Sequence, residues 1–206
     1  MATGSSSFQH RLGDQLAIAL GEGWKHYKSR NEVRAATGGC DKVVILSGSN
    51  KYSPHIELAF YFGCKYSAAT KVEKLLGRHQ SYYHIHQYSY NRRAFSELPF
   101  AGPSGWAVNI ESPPLNLVLE LADAIRGIAF PFFQRFASMR AARDALAADD
   151  PWCFGGSSFW HQLLLLDLAL DDTAHFKDWA GDLDAVTRGE AQEQIEKYEA
   201  AAKSVV

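Results

Sequence analysis

Residues 43–66, VVILSGSNKYSPHIELAFYFGCKY, decide the fold. Val43, Val44, Ile45 and Leu46 form a buried apolar run, and Gly48, Ser49 and Asn50 carry a turn signal. From His55 the text alternates. Ile56, Leu58, Phe60 and Phe62 fall on one face, while Glu57, Ala59, Tyr61 and Gly63 fall on the other. The stretch therefore reads as an antiparallel hairpin.

Working outward, Phe8, Leu12, Leu16 and Leu20 stand four apart on one face of an opening helix that Gly21 and Gly23 end. A short helix over 68–76 follows the hairpin, with Gly77 just past its end. Tyr82 to Tyr90 alternates again as a strand, and Trp106 to Ile110 reads as a short final one. Past Ser112 the composition turns to Ala, Leu and charged residues. Ser112 reads as an N-cap with Pro113 in the first turn of a helix running to Ile128, and Pro131 breaks or restarts it. Further helices are expected over 140–146, around Leu163–Leu170, around Phe176–Leu183 and over 190–203. The expectation is an α+β protein: an antiparallel sheet of about four to five strands packed by helices, with residues 1–150 as the core and 151–206 as a helical extension packed on it.

Several function classes are disfavoured. A formal net charge of −2 lacks the basic excess of a general nucleic-acid binder. No apolar run approaches the ~20 residues of a membrane helix. The opening MATGSSSFQHR lacks the basic-then-apolar layout of a signal peptide, so a cytoplasmic protein with no membrane partner is expected. Cys40, Cys64 and Cys153 are too few and too scattered for a disulfide framework or a cysteine zinc site, and read as buried free thiols.

Chemistry concentrates in Tyr82-Tyr83-His84-Ile85-His86-Gln87-Tyr88-Ser89-Tyr90. Alternation would set Tyr82, His84, His86, Tyr88 and Tyr90 on one sheet face. Two histidines one residue apart can share a metal, with His55 or Glu57 from a neighbouring strand as third ligand. Arg92 and Arg93 follow at once and, with the tyrosines, could cradle an anion, since Arg pairs with carboxylate and phosphate and stacks on rings. A ligand pocket between sheet and helices would be lined by Tyr82, Tyr88 and Trp106. Glu120 and Asp123 read as an ion-paired helix edge rather than an acid–base pair, and Asp149–Asp150 and Asp171–Asp172 as helix-boundary caps. Gly155-Gly156-Ser157-Ser158 lacks the lysine of a phosphate loop.

Ordered features also carry a family resemblance: the Leu20-Gly21 step with Trp24, the strand pair 43–66, the strand Trp106-Ala107-Val108-Asn109-Ile110, and Pro131-Phe132-Phe133-Gln134-Arg135-Phe136. Together they resemble the bacterial DUF4304 group of small soluble domains, over about Phe8 to Leu146. The turn after Trp24 and the longer loop before Trp106 depart from that pattern. The resemblance implies a bacterial α+β domain and transfers no catalytic residue. Aromatic sheet faces such as the Tyr82–Tyr90 run are common hot-spot surfaces for protein partners, and no catalytic constellation stands out, so the expectation is a non-enzymatic module that binds another protein through this face, analogous to immunity proteins and needing no cofactor. The alternative is a metal-binding protein or metal-dependent enzyme built on His84 and His86.

Overall fold

The computed structural model describes residues 3–52, 54–78, 81, 83–89, 98, 102–103, 105–154 and 160–203. It begins with helix α1 (Thr3–Leu20), then strands β1 (Trp24–Tyr27), β2 (Glu32–Ala35), β3 (Cys40–Tyr52) and β4 (His55–Tyr66), and helix α2 (Ser67–Leu75). Strands β5 (Ile85–Tyr88) and β6 (Trp106–Asn109) follow. Helices α3 (Leu117–Ala124), α4 (Phe130–Arg135), α5 (Met139–Ala147), α6 (Trp160–Ala169), α7 (Thr173–Trp179) and α8 (Ala185–Lys203) complete the described order. The fold is α+β, with an open antiparallel sheet and a helical C-terminal part.

The hairpin is the spine of the sheet. β3 and β4 pair antiparallel from Cys40↔Tyr66 to Ser49↔Glu57, with a register shift before Tyr52↔His55. The order runs β1-β2-β3-β4-β5, and β6 also pairs with β4. β5 and β6 share one edge of β4 end to end: β5 along Tyr61–Cys64, β6 along His55–Leu58. As the alternation requires, Ile56, Leu58, Phe60 and Phe62 are buried while His55 and Glu57 are exposed.

The inward face meets helices. Phe8, Leu12, Leu16 and Leu20 are all buried along α1, which packs on β1, β2, β3 and α3. Gly21 takes φ +103°, a left-handed conformation closed to most side chains, so the chain turns sharply and Trp24 stacks on Phe130 at 5.9 Å. Phe62 meets Phe132 edge-on at 5.1 Å, tying the middle of β4 to α4. A single apolar cluster runs from Phe8 through the sheet to Leu163–Leu168 and Ile195. Cys40, Cys64 and Cys153 are free and buried.

Local details differ from expectation at several points. β1 and β2 add two short strands, joined by a 3-10 turn and by Asn31, whose left-handed backbone (φ 49°) and amide bond to the Leu46 carbonyl (3.0 Å) close the turn. Ser112 does not cap α3: the helix begins at Leu117 after Asn116, so Pro113 and Pro114 lie before it. At Pro131 the helix restarts rather than breaks, α4 beginning at Phe130 with the proline in its first turn. Residues 125–129 widen into a π turn, with the Phe130 N–H donating to the Ile125 carbonyl. A π turn is a common way to fit proline's missing N–H and bulky ring into a continuing helix. α8 also starts five residues earlier than its apolar stripe indicates.

Candidate functional site

His84 sits just ahead of β5, its N–H donating to the Cys64 carbonyl at 2.8 Å. Its ring is buried. The Tyr66 N–H donates to Nδ1 at 2.8 Å, which puts the ring proton on Nε2, facing Glu73 Oε2 of α2 at 3.5 Å. Glu73 is 2% exposed, and its Oε1 accepts from the Ser81 N–H at 3.1 Å. Burial pushes the Glu73 carboxyl up, but the bonds from His84 and Ser81 outweigh it and hold the group at about 2. Glu73 also lines a cavity of about 280 Å³ with Arg78, Ser81, His161, Gln162 and Leu165. Arg78 there donates to Gln194 of α8.

His86 faces other neighbours. It pairs with Gly63 across the ladder and its ring stacks on Tyr83 at 4.3 Å, with Tyr88 and Phe154 close by. The glycine is required: a Cβ at Gly63 would lie 2.4 Å from the Ile85 carbonyl oxygen and 2.8 Å from Tyr83 Cβ. Burial alone pushes the His86 imidazole down to about 4. The unfolded ring takes up its proton near 6.5, the folded one only near 4, so stability falls as pH drops between those values. Urea denaturation should show up to about 3 kcal/mol of stability lost from this group between pH 7 and pH 4. His86→Phe should flatten that part of the profile; an unchanged slope in the variant would contradict the assignment.

The two histidines therefore do not form the face that alternation implies, because the bend at residue 84 precedes the strand. Nor do His55 and Glu57 join them. They lie opposite β6, and His55 is eight positions before the Gly63 that pairs with His86, a distance of about 26 Å along an extended strand. Among the described residues, no group of three or more His, Cys, Asp or Glu side chains is placed to hold a metal ion. Trp106 points inward opposite Leu58, stacks near Phe60 at 6.1 Å and donates to Glu120 at 3.2 Å. Tyr88 pairs with Tyr61 on the other sheet face, so Tyr88 and Trp106 cannot line one pocket. Tyr82, Tyr90, Arg92, Arg93 and the 155–158 turn lie outside the described residues. The Asp123–Arg126 ion pair at 3.0 Å fits the expected helix edge.

A second cavity, also about 280 Å³, opens between α1 and the approach to α3. Phe8, Leu12, Leu117 and Val118 supply apolar walls, and Arg11 and Gln15 stand on its polar side. Leu115 at its lining is fully exposed, and Leu119, four residues on, is 62% exposed. Arg11 donates to the Ser7 hydroxyl at 2.8 Å and makes no ion pair with a described carboxylate. Periodicity places Leu115 in a mostly apolar helix but does not show that it faces outward.

Two part-buried histidine–carboxylate pairs escape a reading by motif. His26 Nδ1 bonds Asp14 at 2.9 Å, its ring lying over Gly13, where a Cβ would come within 2.5 Å. His175 Nδ1 bonds Asp167 at 2.9 Å, and Arg143 donates to the same carboxylate at 2.8 Å. The only advance signal for the second is Asp167 itself, one charge inside Leu163–Leu170, which has to be paired if it is buried.

No helix among the described residues is long and apolar enough to cross a membrane. Against known proteins, no family model matches the chain, and no curated protein and no solved structure shows a significant match.

Proposed function

We propose that this chain is a non-enzymatic binding module that captures a partner protein through the groove between α1 and α3. The observation that carries the reading is Leu115, fully exposed at the lining of an apolar groove, with Leu119 of α3 exposed as well. A single exposed leucine needs no explanation, but one that continues the apolar wall of a cavity extends the surface a partner can bury. The groove suits an apolar anchor residue, and Arg11 at its edge suits a carboxylate next to that anchor. An immunity-like role, a bacterial cytoplasmic setting and the resemblance to DUF4304 domains belong to this proposal and rest on the sequence features given above.

The test is selection of displayed random peptides on the full chain. The expected consensus is a large apolar residue flanked by Asp or Glu, with binding weakened about tenfold or more by Leu115→Asp and by Arg11→Glu. Three results would overturn the proposal: no selected peptide, peptides indifferent to both substitutions, or self-association of the free chain that Leu115→Asp abolishes.

A further inference from the structure

We propose that Cys40 and Cys64 are an oxidation site: a hydroperoxide converts the two thiols into a reversible disulfide, Cys40 reacting first and Cys64 resolving it. Cys40 opens β3 and lies opposite Tyr66 of β4, while Cys64 stands two residues before Tyr66, on the same inward face. The two cysteines are therefore diagonal neighbours on adjacent strands, and their thiols interact directly. Tyr66 frames the pair: its hydroxyl donates to the Phe136 carbonyl at 2.6 Å, and Cys40 Sγ lies 3.9 Å from that same oxygen. Only the pairing of β3 with β4 brings these sulfurs together.

The surroundings give the two sulfurs different roles. Cys64 is completely buried, whereas Cys40 is 6% exposed and follows Gly38 and Gly39, so a molecule little larger than water reaches Cys40 first. The Cys64 thiol holds that of Cys40 below its ordinary value, and Cys40 together with burial holds Cys64 above its own, so the thiolate forms at Cys40. That thiolate attacks the peroxide O–O bond and becomes a sulfenic acid, with hydroxide leaving. The Cys64 thiol then attacks the sulfenic sulfur; the S–S bond forms and water leaves. Two thiols are oxidised and one peroxide is reduced. The product is uncharged, which suits an apolar core better than a thiolate does. Diagonal strand partners stand about 7–8 Å apart at Cα, the upper limit for a disulfide, so the bond stays open to reduction. Burial and the nearby Asp150 push the Cys153 thiol up to about 12, which keeps it out of the exchange.

The experiment treats the full chain with hydrogen peroxide in modest excess, counts its thiols after denaturation and maps its peptides by mass spectrometry. The count should fall from three to one, with a mass loss of about 2 Da, a single cross-linked peptide pair joining Cys40 to Cys64, and full recovery in dithiothreitol. In Cys64→Ala the sulfenic-acid trap dimedone should label Cys40, and in Cys40→Ala it should leave Cys64 unlabelled. Should either variant fail to fold, the peptide map of the unaltered chain decides alone. The proposal is overturned if all three thiols survive the peroxide, if the disulfide joins Cys153 or two chains, or if Cys64 rather than Cys40 takes the label.

Discussion

Asp167→Ala is expected to lower the unfolding free energy by about 3–5 kcal/mol, the usual cost of removing one partner from a buried ion pair. Asp167 is fully buried in α6, and its two oxygens are used by different helices: Oδ1 accepts from Arg143 of α5, Oδ2 from His175 of α7. Arg143 is itself buried and also donates to Asp144 at 2.6 Å and to Asp172 at 3.0 Å. Asp172 in turn accepts from the His175 N–H and caps α7. The carboxylate therefore joins three helices, and alanine would leave a buried guanidinium short of its innermost partner. Urea denaturation measures the loss. The double variant Arg143→Met/Asp167→Leu should recover more than half of it, because it removes both charges and keeps the volume. A loss below about 1 kcal/mol for Asp167→Ala would show that the network does not hold these helices together.

Phe62→Ala should cost a comparable amount, about 3–5 kcal/mol. Phe62 is completely buried at the middle of β4 and touches Phe60, Phe132 and Phe133, so truncation opens a cavity where the sheet meets α4. Leu119→Ala, at an exposed position, should stay within about 0.5 kcal/mol. A similar cost at both sites would mean that Leu119 is structural, and would remove the reason for assigning it to a contact surface.

These expectations show which parts of the molecule were legible in the sequence. The period-2 pattern of His55–Phe62 reports burial directly, and the structure has the same alternation and pairing there, while from Phe62 to Tyr66 both faces are covered. α1 is legible for the matching reason, since four residues at helical spacing share one buried face. β1 and β2 were not. They are four residues each, and their turn depends on a left-handed Asn31 and a 3-10 segment rather than on a Gly pair. Pro131 left break or restart open in the sequence, and the restart is made by a π turn, which composition does not encode.

The site was less legible than the fold, for a geometric reason. Alternation predicts shared faces only within a strand, and His84 lies one residue before β5, where the chain bends and turns the ring to Glu73. Glu73 reads in sequence as an ordinary polar position of a short helix; only tertiary packing brings α6 against α2 and buries it. The exposure of Leu115 has the same origin. The late start of α3 leaves that residue in the preceding turn, outside the helical face that packs on α1.

The groove between α1 and α3 is proposed as the partner-binding surface. Its most direct test is methyl NMR of the full chain during titration with a selected apolar–acidic peptide. Shifts are expected to centre on Leu12, Leu115, Leu117 and Val118 of the groove, with Leu119 beside them on α3. Saturable binding that leaves those methyls unmoved and instead perturbs residues around Tyr61, His86 and Tyr88 would contradict it, and would return the binding surface to the aromatic face of the sheet.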